Sequence, residues 1–296
     1  MFFLALLSHW HTSNVRSTVM SLFIVDKANT SLAWQEACLK LDVPGNPKRD
    51  ALHTMVRIAN AAAEDTQVRA EFDQMRKERG YAPIETVANT LFPAELAAVS
   101  RTPEELVRRY RTMYPRLRRI DPGNKTGTYF GRIVAYPGED GPVDQLTALI
   151  DRIRRQAAGR GPMTAAYEMD IAYPDDEPAS NLSGGDHPAD AATGTWSAPV
   201  HAAGKDNGLR GFPCLSHCSF QLDRDRVLHA VALYRSHYMV TRAYGNYLGL
   251  GRLLAYLAKH AGVSAGALTV IAGHAQIERD ISALRPILRG QARLVA

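Results

Sequence analysis

The sequence predicts an α+β fold, and three observations carry that prediction. Two segments have helical periodicity, four show the apolar, aromatic and β-branched clustering of strands, and two of those strands are only two residues apart. At 296 residues, with 46% hydrophobic and 22% charged content, the chain has the composition of an ordinary globular protein with a large core. One domain over residues 20–296 is expected.

The opening MFFLALLSHW has seven apolar residues in a row, with no basic segment before them and no small-residue cleavage site after them. It reads as neither a signal peptide nor a membrane span. Met20 begins MSLFIVDKANTSLAWQEACLKL, a strand followed by a helix, so residues 1–19 read as an upstream extension. Further on, LVRRYRTMYPRLRR (106–119) interleaves arginine with tyrosine and reads first as the solvated face of a helix. The net charge of +5 makes anionic ligands plausible, but a nucleic-acid partner is not expected.

Strands are predicted at GTYFGRIVAYP (127–137) and MTAAYEMDIAYP (163–174). Between them, DQLTALIDRIRRQ places Leu146, Leu149, Ile150 and Ile153 at the spacing of one helix face. Residues 174–210 are rich in Pro, Gly, Asp and Ser without any period, a loop-rich insertion. A hairpin of strands at 219–223 and 226–236 follows. In NYLGLGRLLAYLAKHAG the apolar positions go all round the helix, which predicts a central, buried element.

Several chemistries lack their signatures. No phosphate loop is present, and GLGRLL lies inside the apolar helix without dinucleotide-binding spacing. Cys214 and Cys218 have no second ligand pair for zinc, so no metal is expected. The sequon NKT at 124–126 has no secretory context, and His274 reads equally well as a packed or a reactive residue. Three unevenly placed cysteines suggest free thiols and a reducing, cytoplasmic setting. On its own Cys214, in GFPCLSHCSF, is either a nucleophile or a small apolar residue starting a strand.

From Pro213 to Glu278 the chain resembles the thymidylate synthase family. The resemblance rests on the order Pro-Cys, strand, basic hairpin, strand ending in Arg235-Ser236, then Asn246 at the head of a long apolar helix, then a short strand after AGAL. GTYFGRIVAYP, VDQLTALIDRIRR and AGRGP form a weaker upstream block, and PIETVANTLFP is similar to the helix carrying that family's glutamate. The resemblance implies a large bent mixed sheet covered by helices, and a homodimer paired through the sheet.

It also implies a chemistry. Cys214 would add to C6 of a pyrimidine nucleotide monophosphate, making C5 nucleophilic toward a methyl or hydroxymethyl unit, with 5,10-methylenetetrahydrofolate as the expected donor. Glu85 and Tyr129 would assist proton transfers. Arg235, Ser236 and Arg160 would hold the phosphate, Asn246 would read a base edge, uracil-type rather than cytosine, and Gln276 and Glu278 would contact the sugar. Asn246 could instead simply cap its helix.

The chain departs from the family pattern at Leu215 (histidine there), Tyr234 (glutamine), Tyr238 (a folate-binding aspartate), Gly161 (arginine) and HAQIE (DAHIY). Methyl and hydroxymethyl products, and ribose and deoxyribose, stay open. So do two alternatives, a non-catalytic nucleotide-binding or regulatory protein and an enzyme modifying pyrimidines in RNA or DNA.

Overall fold

The computed structural model describes residues 20–120, 128–138, 141–171 and 214–290. The expected extension at 1–19, the sequon and the insertion at 174–210 lie outside the described residues. Among the described residues, seven strands form one mixed sheet: β1 (Met20–Ser21), β2 (Ile24–Asn29), β3 (Asp50–Asn60), β4 (Tyr167–Asp170), β5 (Leu215–Leu222), β6 (Val227–Tyr238) and β7 (Ser264–Gln276). The spatial order is β1-β3-β7-β6-β5-β4, with β2 also pairing with β3. β1 and β2 are two parts of one edge, broken at Leu22, where φ is 47°.

The helices are α1 (Thr30–Leu41), α2 (Thr66–Glu78), α3 (Ile84–Leu91), α4 (Ala94–Ala98), α5 (Pro103–Ile120), α6 (Tyr129–Val134), α7 (Gln145–Ala158), α8 (Tyr244–Ala261) and α9 (Ile281–Leu288). A π-helical turn, Met239–Ala243, joins β6 to α8. One sheet face is buried through Val56, Ile58, Met169, Phe220, Ala232, Tyr234, Leu268 and Val270. On the other face Ile24, Met55, Ile271 and Leu233 are successive cross-strand partners, with Ile24 59% and Leu233 45% exposed. The α+β class expected from sequence is the class observed.

β6 and β7 are parallel, so the chain must cross between them, and α8 makes that crossing. Its apolar residues go all round because it is enclosed: Leu248, Leu250, Leu253, Leu254 and Leu257 are all buried. It stops at Gly262, whose left-handed φ of 75° ends the helix while its N–H bonds the Ala258 and Lys259 carbonyls. Glycines let neighbours come close: a Cβ on Gly249 would lie 2.7 Å from the Ala88 oxygen in α3, and one on Gly251 2.3 Å from the Ala61 carbonyl carbon.

Several sequence expectations are corrected. The segment predicted as a strand at 127–137 forms α6, because Thr128 accepts the Gly131 N–H and caps a helix. Gly131 also admits the Tyr114 ring, which a Cβ there would overlap. Of the described part of that segment, 163–171, only Tyr167–Asp170 is strand. The hairpin strands are longer than expected, and their turn is Asp223–Arg226, with the Asp223 carboxylate accepting from the Asp225 and Val227 N–H groups. The strand after AGAL includes that segment and runs 13 residues. In the arginine-rich α5, Arg111 donates to the Val134 carbonyl at 2.8 Å and Tyr110 is buried against Thr128.

Gly251→Ala is expected to lower unfolding stability by about 1–3 kcal/mol, since the methyl must displace backbone rather than a flexible side chain. Gly45→Ala, with nothing within 4 Å of the new methyl, is the control. Urea midpoints of the two variants give the comparison.

Candidate functional site

Cys214 immediately precedes β5 and is partly exposed, packed on one side against the core. Hairpin pairing fixes its backbone, with the Arg235 N–H donating to the Cys214 carbonyl at 2.8 Å. The Leu215 N–H donates to the Tyr129 hydroxyl oxygen at 3.3 Å, so α6 places a phenol beside the thiol-bearing residue. Burial, with the nearby Cys214 adding to it, pushes the Tyr129 phenol well above its ordinary range. Tyr129 therefore remains protonated at neutral pH. The charge of Arg242, on the π-helical turn, acts in the opposite sense on the same phenol.

Tyr234 is the cross-strand partner of Leu215 and is completely buried, its hydroxyl without a hydrogen bond. Three residues on, His237 stacks against it at 4.4 Å with 16° between the rings. A regular strand would place positions three apart on opposite faces, so the chain departs from strict alternation over Arg235–Ser236. Burial lowers the His237 pKa to about 3, leaving a neutral ring. Its Nε2 accepts from Asn246 Nδ2 at 3.1 Å, while Asn246 Oδ1 is buried and unpartnered.

Asn246 is the third residue of α8, and no side chain caps that helix. The capping reading of Asn246 is thus corrected: its amide is used between β6 and α8. The π-helical turn leading into α8 is fixed through its backbone. The Glu278 carboxylate accepts the Val240 and Thr241 N–H groups at 3.1 and 2.8 Å, and Trp34 donates to the Met239 carbonyl at 2.8 Å. Buried Arg76 donates to the Val240 and Thr241 carbonyls, and desolvation lowers its pKa to about 10.

The structure therefore gathers Cys214, Tyr129 and Asn246 with Tyr234 and His237, and disperses other expected site residues. Burial raises the Glu278 pKa against the effect of its hydrogen bonds, and its carboxylate is committed to the turn rather than directed to a sugar. Glu85 pairs with Arg252, one bond at 3.0 Å, and with Arg69 at 3.5 Å. Burial pushes its carboxyl up, but hydrogen bonds and charge from Arg252, then Arg69, outweigh this and hold it below the usual range. Arg235 is exposed, Ser236 half-buried beside it, Gln276 half-buried at the end of β7, and Arg160 exposed beyond α7.

Sequence reasoning missed His237 and Arg242, which stand in no motif singled out above, and the turn-capping role of Glu278, whose motif pointed to a sugar contact. Two surface hollows among the described residues, one lined by Glu104, Arg108 and Asp144 and one by Asp42, Asn46 and Arg285, share no residue with the Cys214 group. Among the described residues no trio of histidine, cysteine or carboxylate side chains is placed to hold a metal, and no helix is long and apolar enough to cross a membrane.

Fold and candidate site together describe an α+β protein that presents a partly exposed thiol near buried phenols and an amide. Over 97 residues the chain is 31% identical to a Methanosarcina mazei protein described as "Putative thymidylate synthase". The match takes in 32% of this chain and 42% of that relative, a partial likeness to a thymidylate synthase. No protein-family model matches the chain.

The other two thiols are buried. Desolvation raises the Cys218 pKa to about 12 and puts Cys38 well above its ordinary range. Under native conditions iodoacetamide is expected to label Cys214 first, at one equivalent, with Cys38 and Cys218 reacting only on unfolding. Peptide mass spectrometry of a time course reads the order.

Proposed function

We propose that the protein transfers a one-carbon unit, methyl or hydroxymethyl, to C5 of a uracil-type nucleotide monophosphate through a covalent adduct of Cys214. The observation that carries this reading is the placement of the partly exposed thiol beside the Tyr129 hydroxyl, at the end of the sheet where Asn246 offers an unpartnered carbonyl. The Cys214 thiolate adds to C6, and the C5=C6 electron pair moves into an enolate whose negative carbon is C5. C5 bonds to the incoming carbon as that carbon parts from its donor, and C5 loses its proton; a hydride equivalent from the donor would complete a methyl product and water a hydroxymethyl product, and the sulfur leaves C6 as the double bond re-forms.

In this reading the neutral Tyr129 phenol relays the C5 proton without storing charge. Arg235 and Ser236 receive the phosphate, Arg160 comes from a second subunit, and Gln276 contacts the sugar. Glu85 assists at the pyrimidine O4 only when its pair with Arg252 parts on binding. For the donor, methylenetetrahydrofolate, the side chains at hand do not fit the expected arrangement. Half-buried Tyr238 stands in place of a folate-binding aspartate, and a phenol with one proton and no charge does not replace a carboxylate. No step is derived through the folate.

A homodimer belongs to this proposal and is supported by the apolar row of Ile24, Met55, Ile271 and Leu233, exposed at Ile24 and Leu233 and half-buried between them. Sedimentation is expected to give a dimer that Leu233→Lys converts to monomer with its helical content unchanged. A monomeric wild type removes this part of the proposal.

Tritium release from 5-tritiated UMP, dUMP, CMP and dCMP, with and without methylenetetrahydrofolate, tests the chemistry. Release from a uracil nucleotide is expected, falling by about a hundredfold or more in Cys214→Ser while nucleotide binding persists. Tight binding without release from any of the four makes the protein a nucleotide-binding module. Full release in Cys214→Ser removes the nucleophile.

A further inference from the structure

We infer that His237 is a positioning residue that sets base selectivity: it turns the Asn246 amide so that the carbonyl oxygen, not the amino group, meets the substrate, and the site selects a base edge offering N3–H. This inference rests on the proposed reading of Cys214 as acting on a pyrimidine. It goes beyond that reading by naming what decides between uracil-type and cytosine-type rings.

An asparagine amide has nearly the same shape in both orientations, so its hydrogen bonds decide which is adopted. Only 2% of His237 is exposed, and its ring is held face-on by Tyr234 at 4.4 Å and edge-on by Tyr247 at 5.3 Å. The two aromatic contacts fix the plane of the imidazole. Being neutral, it carries one N–H and one bare nitrogen. Asn246 Nδ2 lies 3.1 Å from His237 Nε2. An amide nitrogen does not accept, so it donates, and Nε2 is the bare atom with the ring proton on Nδ1.

That arrangement uses the amino end of the amide inside the protein. The other end, Oδ1, is a buried acceptor without a partner on a residue only 3% exposed. Buried acceptors are seldom left unsatisfied, and a ligand N–H removes the penalty. N3 of uracil carries such a proton. N3 of cytosine is itself an acceptor, and in the same position it would set two lone pairs against each other. With the other histidine tautomer, Nε2–H would bind Oδ1, the amino group would face outward, and the preference would reverse.

The sequence offers a second sign that this imidazole is particular to the site of this chain. The resemblance places a histidine at position 215, next to the cysteine, where Leu215 is completely buried. The imidazole in contact with Asn246 is that of His237, three residues beyond the cross-strand partner of Leu215.

Two measurements on the full chain test the inference. Nitrogen-15 NMR of the labelled imidazoles is expected to show His237 with Nε2 unprotonated, and Nε2–H overturns the amide orientation whatever the nucleotide results. Calorimetry with UMP and CMP is expected to show a uracil preference in the wild type that falls about tenfold in His237→Phe, which keeps a ring against Tyr234. Preference for CMP in the wild type, or an unchanged ratio in His237→Phe, overturns the inference alone. Absence of binding by any pyrimidine nucleotide overturns it together with the catalytic reading.

Discussion

The constraint on which the structure depends is the parallel pairing of β6 and β7. Neighbouring parallel strands cannot be joined by a tight turn, so a long connection must leave one end of the sheet and return at the other. Here that connection is α8, buried along most of its surface and open along the edge of Arg252, Ala255 and Lys259, and its glycines answer to the burial. Gly249 sits where α3 crosses, and Gly251 where the end of β3 comes within contact. A helix with ordinary side chains at those points would stand off from the sheet and leave voids in the core.

The same connection builds the site. Because α8 must begin directly at the end of β6, the chain turns through a π-helical segment, a geometry with weak intrinsic stability. Its polar backbone groups are met one by one, by the Glu278 carboxylate on the N–H side and by Arg76 and Trp34 on the carbonyl side. Two of these partners are themselves costly to bury. Glu278 is pushed toward its neutral form and Arg76 loses part of its basicity, both by desolvation. Such polar clamps are tolerated where position matters, and this turn fixes Asn246 relative to the Cys214 end of β5.

The sequence made the helices at 145–158 and 244–261 legible because their burial patterns have clear helical periods, and the hairpin because its strands lie so close. It misread α6, where a tyrosine, a phenylalanine and two β-branched residues look like a strand and the deciding interactions are a threonine cap and the Tyr114 ring packed over Gly131. Of the candidate site, Cys214, Tyr129 and Asn246 were named through resemblance, and the structure brings them to the same end of the sheet. Glu278 was assigned by the same route to a sugar contact. Only the three-dimensional path shows its carboxylate taken up by the backbone of the turn.

Leu215 and Tyr234 stand where the resemblance expects histidine and glutamine, and they are cross-strand partners, both without exposed surface. Two polar side chains in that pair would each need a hydrogen-bond partner inside the core. Leucine removes one such demand, and the tyrosine ring fills the neighbouring space while serving as the surface on which His237 stacks. The two departures are therefore one change in physical terms. The Leu215 side of that pair is apolar, and the polar contact with Asn246 is made by an imidazole three residues further along β6.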